Sequence, residues 1–377
     1  MSARGQILSL LGGYGAAGLF WGSLAAAAPA VQARAGLDTG GYGLALGAMS
    51  LAAFPVMQVF GRQVLRIRPY ALPLCLFASA MGCALLASAT GLAGLVLALA
   101  VLGGASGALD ISLNLRTARL ESDTGGRLFN RTHALFPVAM LTGAVFTGAA
   151  RAAGAGVPAI FLTVGAAFLA MAAIEYRAGR HQHSQTGSSG RAGPALGATV
   201  LVLAAMAALA AFQEAAPQAW AAIFVETFRE EGPVLAGLSP AAYTLGLTIG
   251  RLAAHELEHI LRPVQTLRLA ALLGAPGFAA LVLDLPAPLV LAAFLLAGIG
   301  TGPVEPAVFK AVSSRGDPAA AGRRLATVTQ IAYLGYLLSP PALGGIADSL
   351  GFSALWLVAA AAALAVAGLS LVVGRRS

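Results

Sequence analysis

The chain has 377 residues, of which 58% are hydrophobic and 10% are charged, and its formal net charge is +8. A soluble domain carries about 25% charged residues, so this composition excludes an ordinary soluble protein. A transmembrane helix needs roughly 20 apolar residues, which leaves room for about twelve of them. The sequence therefore predicts an all-α, polytopic membrane protein that has no separate soluble domain.

The first apolar run, residues 7–31, follows Arg4 and resembles a secretory signal, but it is longer than the apolar core of a signal peptide. We expect it to remain as the first span. The predicted spans of the first half are residues 6–29, 41–61, 70–89, 92–115, 134–153 and 157–176. Those of the second half are residues 196–224, 238–254, 266–283, 288–311, 325–346 and 352–373.

The positions of the basic residues relative to the predicted spans indicate the orientation of the chain in the membrane. With the N-terminus in the cytoplasm, 20 of the 23 Lys and Arg residues fall on cytoplasmic segments or helix ends, and only Arg34, Arg151 and Arg229 fall outside. Cytoplasmic loops of membrane proteins carry such an excess of Lys and Arg. We therefore expect both termini in the cytoplasm, a lipid bilayer as the environment, and no nucleic-acid partner.

A linker rich in Gly, Ser, Arg and His separates the two halves. The predicted domains are an N-terminal six-helix bundle at 1–178, a cytoplasmic linker at 179–195 and a C-terminal six-helix bundle at 196–377. His181 and His183 in the linker are expected to be incidental and not metal ligands. Cys75 and Cys83, about two turns apart on one helix, are too far apart to form a disulfide and are expected to be packing residues.

The two halves repeat each other in parallel. Gly103 and Gly107-Ala-Leu-Asp110 recur as Gly298 and Gly302-Pro-Val-Glu305, at an offset of 195 residues. Further matches of similar offset lie at the entry to the second helix and in the fifth helix of each half. Parallel six-helix halves with a binding site between them are typical of a large class of secondary transporters.

Motifs for chemistry on a bound substrate are missing from the sequence. It contains no nucleophile elbow, no P-loop and no cluster of metal ligands at a workable spacing. We therefore expect neither an enzyme nor an ATPase, and no cofactor or metal ion. Any pumping has to draw on an ion gradient or on the gradient of the substrate.

Glu214 is the acid that the sequence places deepest in the membrane. It precedes Glu226, at the outer end of the seventh span, by 12 residues, which corresponds to roughly 18 Å of helix. A carboxyl group near the middle of the bilayer is costly and is often functional. Glu214 is therefore a candidate for carrying a proton or binding a substrate; the alternative is an acid satisfied by hydrogen bonds inside the bundle.

Asp110 and Glu305 occupy equivalent positions of the repeat but lie closer to the cytoplasm, roughly 9 Å from Arg116 and 7.5 Å from Lys310 along their helices. They could form part of a cytoplasmic gate that pairs with loop arginines in one state only, or permanent anchoring ion pairs. The same gate is predicted to include Asn114, Arg127, His133 and Arg251. For His133 the alternatives are helix packing and sensing of pH.

Six aromatic or amide side chains are candidates for the wall of a substrate cavity: Tyr14, Trp21, Trp220, Gln330, Tyr333 and Tyr336. Trp and Tyr also collect at membrane interfaces for reasons of solvation, and this alternative applies above all to Trp220. Gln330 and Tyr333 share one face of their helix, which favours a polar substrate that forms hydrogen bonds.

These motifs resemble the major facilitator superfamily, and within it a bacterial inner-membrane subgroup near the fucose permease branch. The first half carries an acid, an Asn four residues later, a Gly-Arg pair, a His and an aromatic residue as Asp110, Asn114, Gly126-Arg127, His133 and Phe136. The second half carries Glu214, Trp220 and Gly250-Arg251. The resemblance implies two six-helix bundles, alternating access and a location in the bacterial inner membrane.

The sequence departs from that subgroup at four places. The first span has no acid, Ala219 and His255 stand where Asp is usual, and the loop that begins at Gly61 lacks the Asp of the superfamily signature. From the two predicted six-helix bundles and Glu214, we predict a monomeric secondary transporter that moves a small organic solute, sugar-like or otherwise polar, coupled to protons. A multidrug or metabolite efflux carrier and a membrane sensor or assembly partner that transports nothing are the alternatives.

Overall fold

The computed structural model describes residues 3–64, 67–124, 128–179, 197–314 and 321–374. These residues form thirteen α-helices and one short π-helical turn, and no strand occurs among them. The helices of the first half are α1 (Ala3–Ala35), α2 (Thr39–Gln63), α3 (Arg68–Ser88), α4 (Gly91–Thr124), α5 (Leu128–Ala152) and α6 (Val157–Gly179). The fold is the all-α membrane fold that the composition predicts.

The helices of the second half are α7 (Ala198–Ile223), α8 (Pro233–Glu256), α9 (Pro263–Ala280), α10 (Ala287–Thr301), α11 (Val304–Ser313), α12 (Ala321–Leu350) and α13 (Phe352–Gly374). The π-helical turn Phe224–Phe228 extends α7. The sequence predicted one uninterrupted tenth span, but the structure divides it into α10 and α11. Pro303 has no backbone N–H to continue the helical hydrogen bonds, which accounts for the interruption.

Nine helical segments of the described residues are long and apolar enough to cross a membrane, and one of them combines α10 with α11. The other three helices needed for twelve spans are α8, α9 and α12. Of these, α8 carries Arg251, and α12 carries Gln330, Tyr333 and Tyr336. Several of the residues that the sequence analysis proposed for the site therefore lie on helices that are not among these nine segments.

The chain forms two compact units. Unit 1 contains α1–α6 together with residues 232–237, and unit 2 contains α7 and the chain from Leu238 onwards. In unit 1 the closely packed pairs are α1 with α5, α2 with α4, and α3 with α6. In unit 2 they are α7 with α12, α8 with α10, and α9 with α13. Each unit therefore repeats the same pairing of helices.

Glycines bring the paired helices together at backbone distance. A Cβ atom added to Gly103 of α4 would lie 1.9 Å from the Met49 carbonyl oxygen of α2. A Cβ atom added to Gly298 of α10 would lie 2.2 Å from the Tyr243 carbonyl oxygen of α8. Because lipid provides no hydrophobic drive for helices to associate, small residues that permit close packing specify their contacts. The repeat seen in the sequence is thus a repeat of helix contacts.

Gly298→Ala tests this packing. The added methyl group has to displace backbone of α8, and overpacking of this kind costs about 1–3 kcal/mol. We expect a lower midpoint of thermal unfolding for the purified protein in detergent. The control is Gly368→Ala on α13, where an added Cβ meets no atom within 4 Å and Ala favours the helix. Equal midpoints for the two variants would contradict the role of Gly298.

Candidate functional site

Three ionisable side chains from three helices of unit 2 form the charged cluster: Glu214 of α7, Arg251 of α8 and Glu305 of α11. Arg251 Nη2 lies 2.9 Å from Glu214 Oε2, and the two side chains are 40% and 14% exposed. Glu305 lies in the first turn of α11, three residues beyond Gly302. Arg251 therefore pairs with one carboxyl group, and a second carboxyl group follows the break between α10 and α11.

Arg251 also binds the interruption between α10 and α11. Its Nε donates a hydrogen bond of 3.3 Å to the carbonyl oxygen of Gly302, the residue that follows α10. Carbonyl groups at a helix end have no partner within the helix, and basic side chains often satisfy them. The same guanidinium group thus joins the carboxylate of α7 to the backbone at the break.

The local sequence explains the geometry of the break. Gly302 packs so closely on α8 that an added Cβ would lie 2.4 Å from the Leu247 carbonyl oxygen. Pro303 precedes α11, and Glu305 lies in its first turn, where the helix dipole favours a negative charge. Gly302, Pro303 and Glu305 therefore place a carboxyl group directly beyond a helix interruption.

One tyrosine of α8 contacts the backbone next to Glu214. The Tyr243 hydroxyl donates a hydrogen bond of 3.3 Å to the carbonyl oxygen of Gln213, the residue before Glu214. The ring centroids of Tyr336 and Tyr333 are 6.3 Å apart. These tyrosines, which the sequence proposed as part of a cavity wall, lie on α12, and α12 packs against α7, the helix of Glu214.

Unit 1 contains a separate polar network. The Tyr14 hydroxyl donates a hydrogen bond of 3.0 Å to Asn114 Oδ1, and Asn114 Nδ2 donates one of 3.0 Å to Asp110 Oδ1. The Tyr14 hydroxyl also lies 3.3 Å from Thr117 Oγ1. Tyr14 is only 5% exposed, whereas Asp110 is exposed. Asp110 and Asn114, predicted as gate residues, thus belong to one chain of hydrogen bonds that starts at Tyr14.

The structure regroups the remaining predicted residues. Glu214, assigned from its depth to a central site, forms an ion pair with Arg251, which was assigned to the gate. Trp220 has no exposed surface, so it packs inside unit 2 and does not line an open cavity in this structure. Trp21 is half-buried, and Gln330 is exposed. Arg127 and the side chain of His133 lie outside the described residues.

One buried ion pair was missed by the sequence analysis. Arg116 Nη1 of α4 lies 3.1 Å from Glu175 Oε2 of α6, and the two side chains are 11% and 1% exposed. The Ser9 hydroxyl of α1 donates a hydrogen bond to Glu175 Oε1. The sequence analysis used Arg116 only as evidence for the topology. The signal that could have indicated this ion pair is Glu175, an acid near the end of a predicted span.

Glu175→Gln should destabilise unit 1. The substitution leaves the Arg116 guanidinium buried without its carboxylate, and breaking a buried pair on one side costs about 3–5 kcal/mol. The double variant Arg116→Met/Glu175→Gln removes both charges and should recover much of the loss. Thermal unfolding in detergent measures both effects. A single variant as stable as the wild type would show that the pair contributes little.

An exposed ion pair ties the turn between α8 and α9 to α11. Lys310 Nζ donates a hydrogen bond of 2.8 Å to Glu258 Oε2, and this bond lowers the pKa of the Glu258 carboxyl group. Both residues of this pair line a small cleft together with Arg251 and His255.

The described residues contain no group of three or more His, Cys, Asp or Glu side chains that could hold a metal ion. The charged cluster has two carboxyl groups, and Arg251 forms an ion pair with one of them, that of Glu214.

Comparison with known proteins gives consistent results along the chain. The family model of the Major Facilitator Superfamily matches residues 10–329. An uncharacterized MFS-type transporter of Yersinia pestis is 26% identical over 339 residues, which cover 88% of this chain and 86% of the relative. An uncharacterized transporter of Sinorhizobium fredii is 26% identical over 344 residues, with 88% of each chain covered.

Among solved structures, a bacterial homologue of the human lysosomal transporter Spinster superposes with a TM-score of 0.80 at 13% identity. That match covers 98% of this chain and 96% of the other. At this identity the similarity defines the fold alone.

Proposed function

This chain belongs to the Major Facilitator Superfamily and is a multi-pass membrane transporter, not an enzyme; from that premise we propose that it moves a small polar organic solute by proton-coupled alternating access. The observation that carries this proposal is the ion pair of Glu214 with Arg251, whose guanidinium group also binds the Gly302 carbonyl oxygen at the break between α10 and α11.

The charge balance of the cluster supports a role in coupling. One guanidinium group neutralises one carboxylate, so a second ionised carboxylate leaves an excess negative charge. Such a charge is costly within the membrane unless it is paired or neutralised. A proton is the simplest neutralising partner.

Protonation also has a structural consequence in this geometry. When Glu214 accepts a proton, its ion pair with Arg251 weakens, and the guanidinium group becomes available to Glu305. Arg251 holds the carbonyl of Gly302 at the same time, so its shift between carboxylates acts on the break between α10 and α11. A transition between discrete packing arrangements at such a point is what alternating access requires.

The surroundings of the cluster supply access and a binding wall. The cleft beside Lys310 and Glu258 reaches Arg251 and offers protons a route from the turn between α8 and α9. Gln330, Tyr333 and Tyr336 on α12 offer amide, hydroxyl and aromatic surfaces to a polar solute. The polar network of Asp110, Asn114 and Tyr14 is proposed as the gating element of unit 1.

We infer the orientation from the charge bias. The excess of Lys and Arg on one side of the predicted spans supports cytoplasmic termini in the bacterial inner membrane. In that orientation the turn between α8 and α9 faces the cytoplasm, and the π-helical turn that follows α7 lies near the outer surface. The cleft would then connect the charged cluster to the cytoplasm.

Glu214→Gln tests the proposed coupling. Wild-type protein in liposomes with a trapped pH-sensitive dye is exposed to a panel of sugars, amino acids, nucleosides and amines. We expect at least one solute to move protons in the wild type and that movement to fall at least tenfold in Glu214→Gln, because an amide cannot carry the proton.

The matched control is Glu226→Gln, which removes a carboxyl group from the turn that follows α7 and leaves the charged cluster intact. This control should retain wild-type proton movement. Proton movement that is the same in Glu214→Gln and in the wild type, or that no solute of the panel elicits in the wild type, would overturn the proposal.

A further inference from the structure

The cleft lined by Arg251, His255, Glu258 and Lys310 has the features of a binding site for an anion. We propose that it binds a phosphate group, carried by a soluble phosphate ester or by the headgroup of a lipid. The Glu258 carboxylate holds the place of that group in this structure. Binding there depends neither on proton coupling nor on the nature of the transported solute.

Three basic side chains line the cleft from two sides. Arg251 and His255 lie one turn apart on α8, and Lys310 comes from α11. Arg251 uses Nη2 for Glu214 and Nε for Gly302, and its third nitrogen, Nη1, takes part in neither bond. The His255 and Lys310 side chains are 75% and 46% exposed, so a ligand can reach them from outside the protein. Arg and Lys are the usual partners of phosphate groups.

The backbone adds to the positive potential of the cleft. Pro263, the first residue of α9, lines it, and so does Pro303, the N-cap residue of α11. The N-terminus of a helix carries a partial positive charge that favours a bound anion. Two helix N-termini and three basic side chains thus converge on one small space.

The Glu258 carboxylate shows where an anion binds in the cleft. Its Oε2 accepts a hydrogen bond of 2.8 Å from Lys310 Nζ, and its Oε1 lies 3.9 Å from His255 Nδ1. The Glu258 side chain is 48% exposed, and an ion pair as exposed as this one contributes little to stability. A phosphate group carries more negative charge and more acceptor oxygens than a carboxylate. It can therefore replace Glu258 at Lys310.

Glu258 lies on a turn that is longer than its counterpart in the first half. Both turns begin with Gly-Arg and end with Arg-Pro, but the two arginines are separated by residues 63–67 in the first half and by residues 252–261 in the second. The shorter segment contains no Asp or Glu. A carboxylate that occupies the cleft is therefore specific to unit 2.

The size of the cleft suits a phosphate group. Its volume is about 160 Å³, whereas pockets for drug-sized ligands measure about 300–1,000 Å³. The rest of the ligand has to extend out of the cleft. Leu257 and Ile260 on the same turn are 39% and 65% exposed and offer apolar surface to the chain of a lipid.

Matched probes test this site on the purified full-length protein in phosphate-free buffer of constant ionic strength. Glycerol 3-phosphate is compared with glycerol, and dioctanoyl phosphatidic acid with dioctanoylglycerol, so the members of each pair differ only in the phosphate group. By calorimetric titration we expect a phosphate-bearing probe to bind at least tenfold more tightly than its partner. A further tenfold preference for the lipid identifies a headgroup, and a smaller difference identifies the phosphate group alone as sufficient.

Two substitutions in the cleft have opposite expected effects. Lys310→Gln removes the ammonium group that contacts the anion and should weaken binding of the phosphate probes at least tenfold. Glu258→Gln removes the competing carboxylate and should strengthen it at least threefold. The control is Glu256→Gln, which makes the same change of charge outside the cleft lining and should bind as the wild type does. Size-exclusion elution and the midpoint of thermal unfolding report whether each variant is folded.

A labelling measurement locates the ligand without any variant. Lys310 is the only lysine among the 377 residues, so acylation by the neutral reagent succinimidyl acetate, followed by mass spectrometry of peptides, reports on this side chain alone. A saturating phosphate probe should slow the acylation of Lys310 at least fivefold, and its phosphate-free partner should not. A free lysine derivative in the same tube controls for loss of reagent.

Four outcomes would overturn the phosphate site. These are phosphate probes that bind no more tightly than their partners, undiminished binding to folded Lys310→Gln, binding to folded Glu258→Gln that is no tighter than to the wild type, and acylation of Lys310 that a saturating probe does not slow. None of them affects the proton movement that the proposed function assigns to Glu214.

Discussion

Arg251 makes the contact on which the arrangement of the charged cluster depends. Its guanidinium group bonds the Glu214 carboxylate and the Gly302 carbonyl oxygen at the same time, and so connects α7, α8 and the interruption between α10 and α11. A planar guanidinium group with five N–H donors can hold two acceptors in a fixed relation, which the ammonium group of Lys cannot do in the same way. The ion pair and the helix break are therefore one structural feature.

The glycines make this contact possible. Gly298 and Gly302 let α10 approach α8 at backbone distance, which brings the carbonyl at the break within reach of the Arg251 side chain. The equivalent glycines of α4, Gly103 and Gly107, pack against α2 in unit 1. The close packing of helices is thus the same in both units, but the polar groups differ. Unit 1 has a hydrogen-bonded network around Asp110, and unit 2 has the ion pair of Glu214 with Arg251.

Much of the fold could be predicted from the sequence because the bilayer imposes strong rules. Runs of apolar residues give the helices, and the recurrence of Gly-x-x-Asp and Gly-x-x-Glu at one offset gives the repeat. The site was less predictable. The sequence analysis assigned Glu214 to a central site and Arg251 to a cytoplasmic gate, but the two side chains form one ion pair. The buried pair of Arg116 and Glu175 was missed because its members lie 59 positions apart in the sequence.

The sequence by itself determined that this protein is an all-α membrane transporter with two repeated halves, because hydropathy, glycine spacing and the motif residues are local properties of the chain. Only the tertiary structure decided which ionisable groups meet. Ion pairs between distant segments depend on how helices pack and where side chains reach, and neither property is encoded in the spacing of residues along one helix. The ion pair of Arg251 with Glu214, next to a helix break, is such a property, and it directs the functional proposals to unit 2.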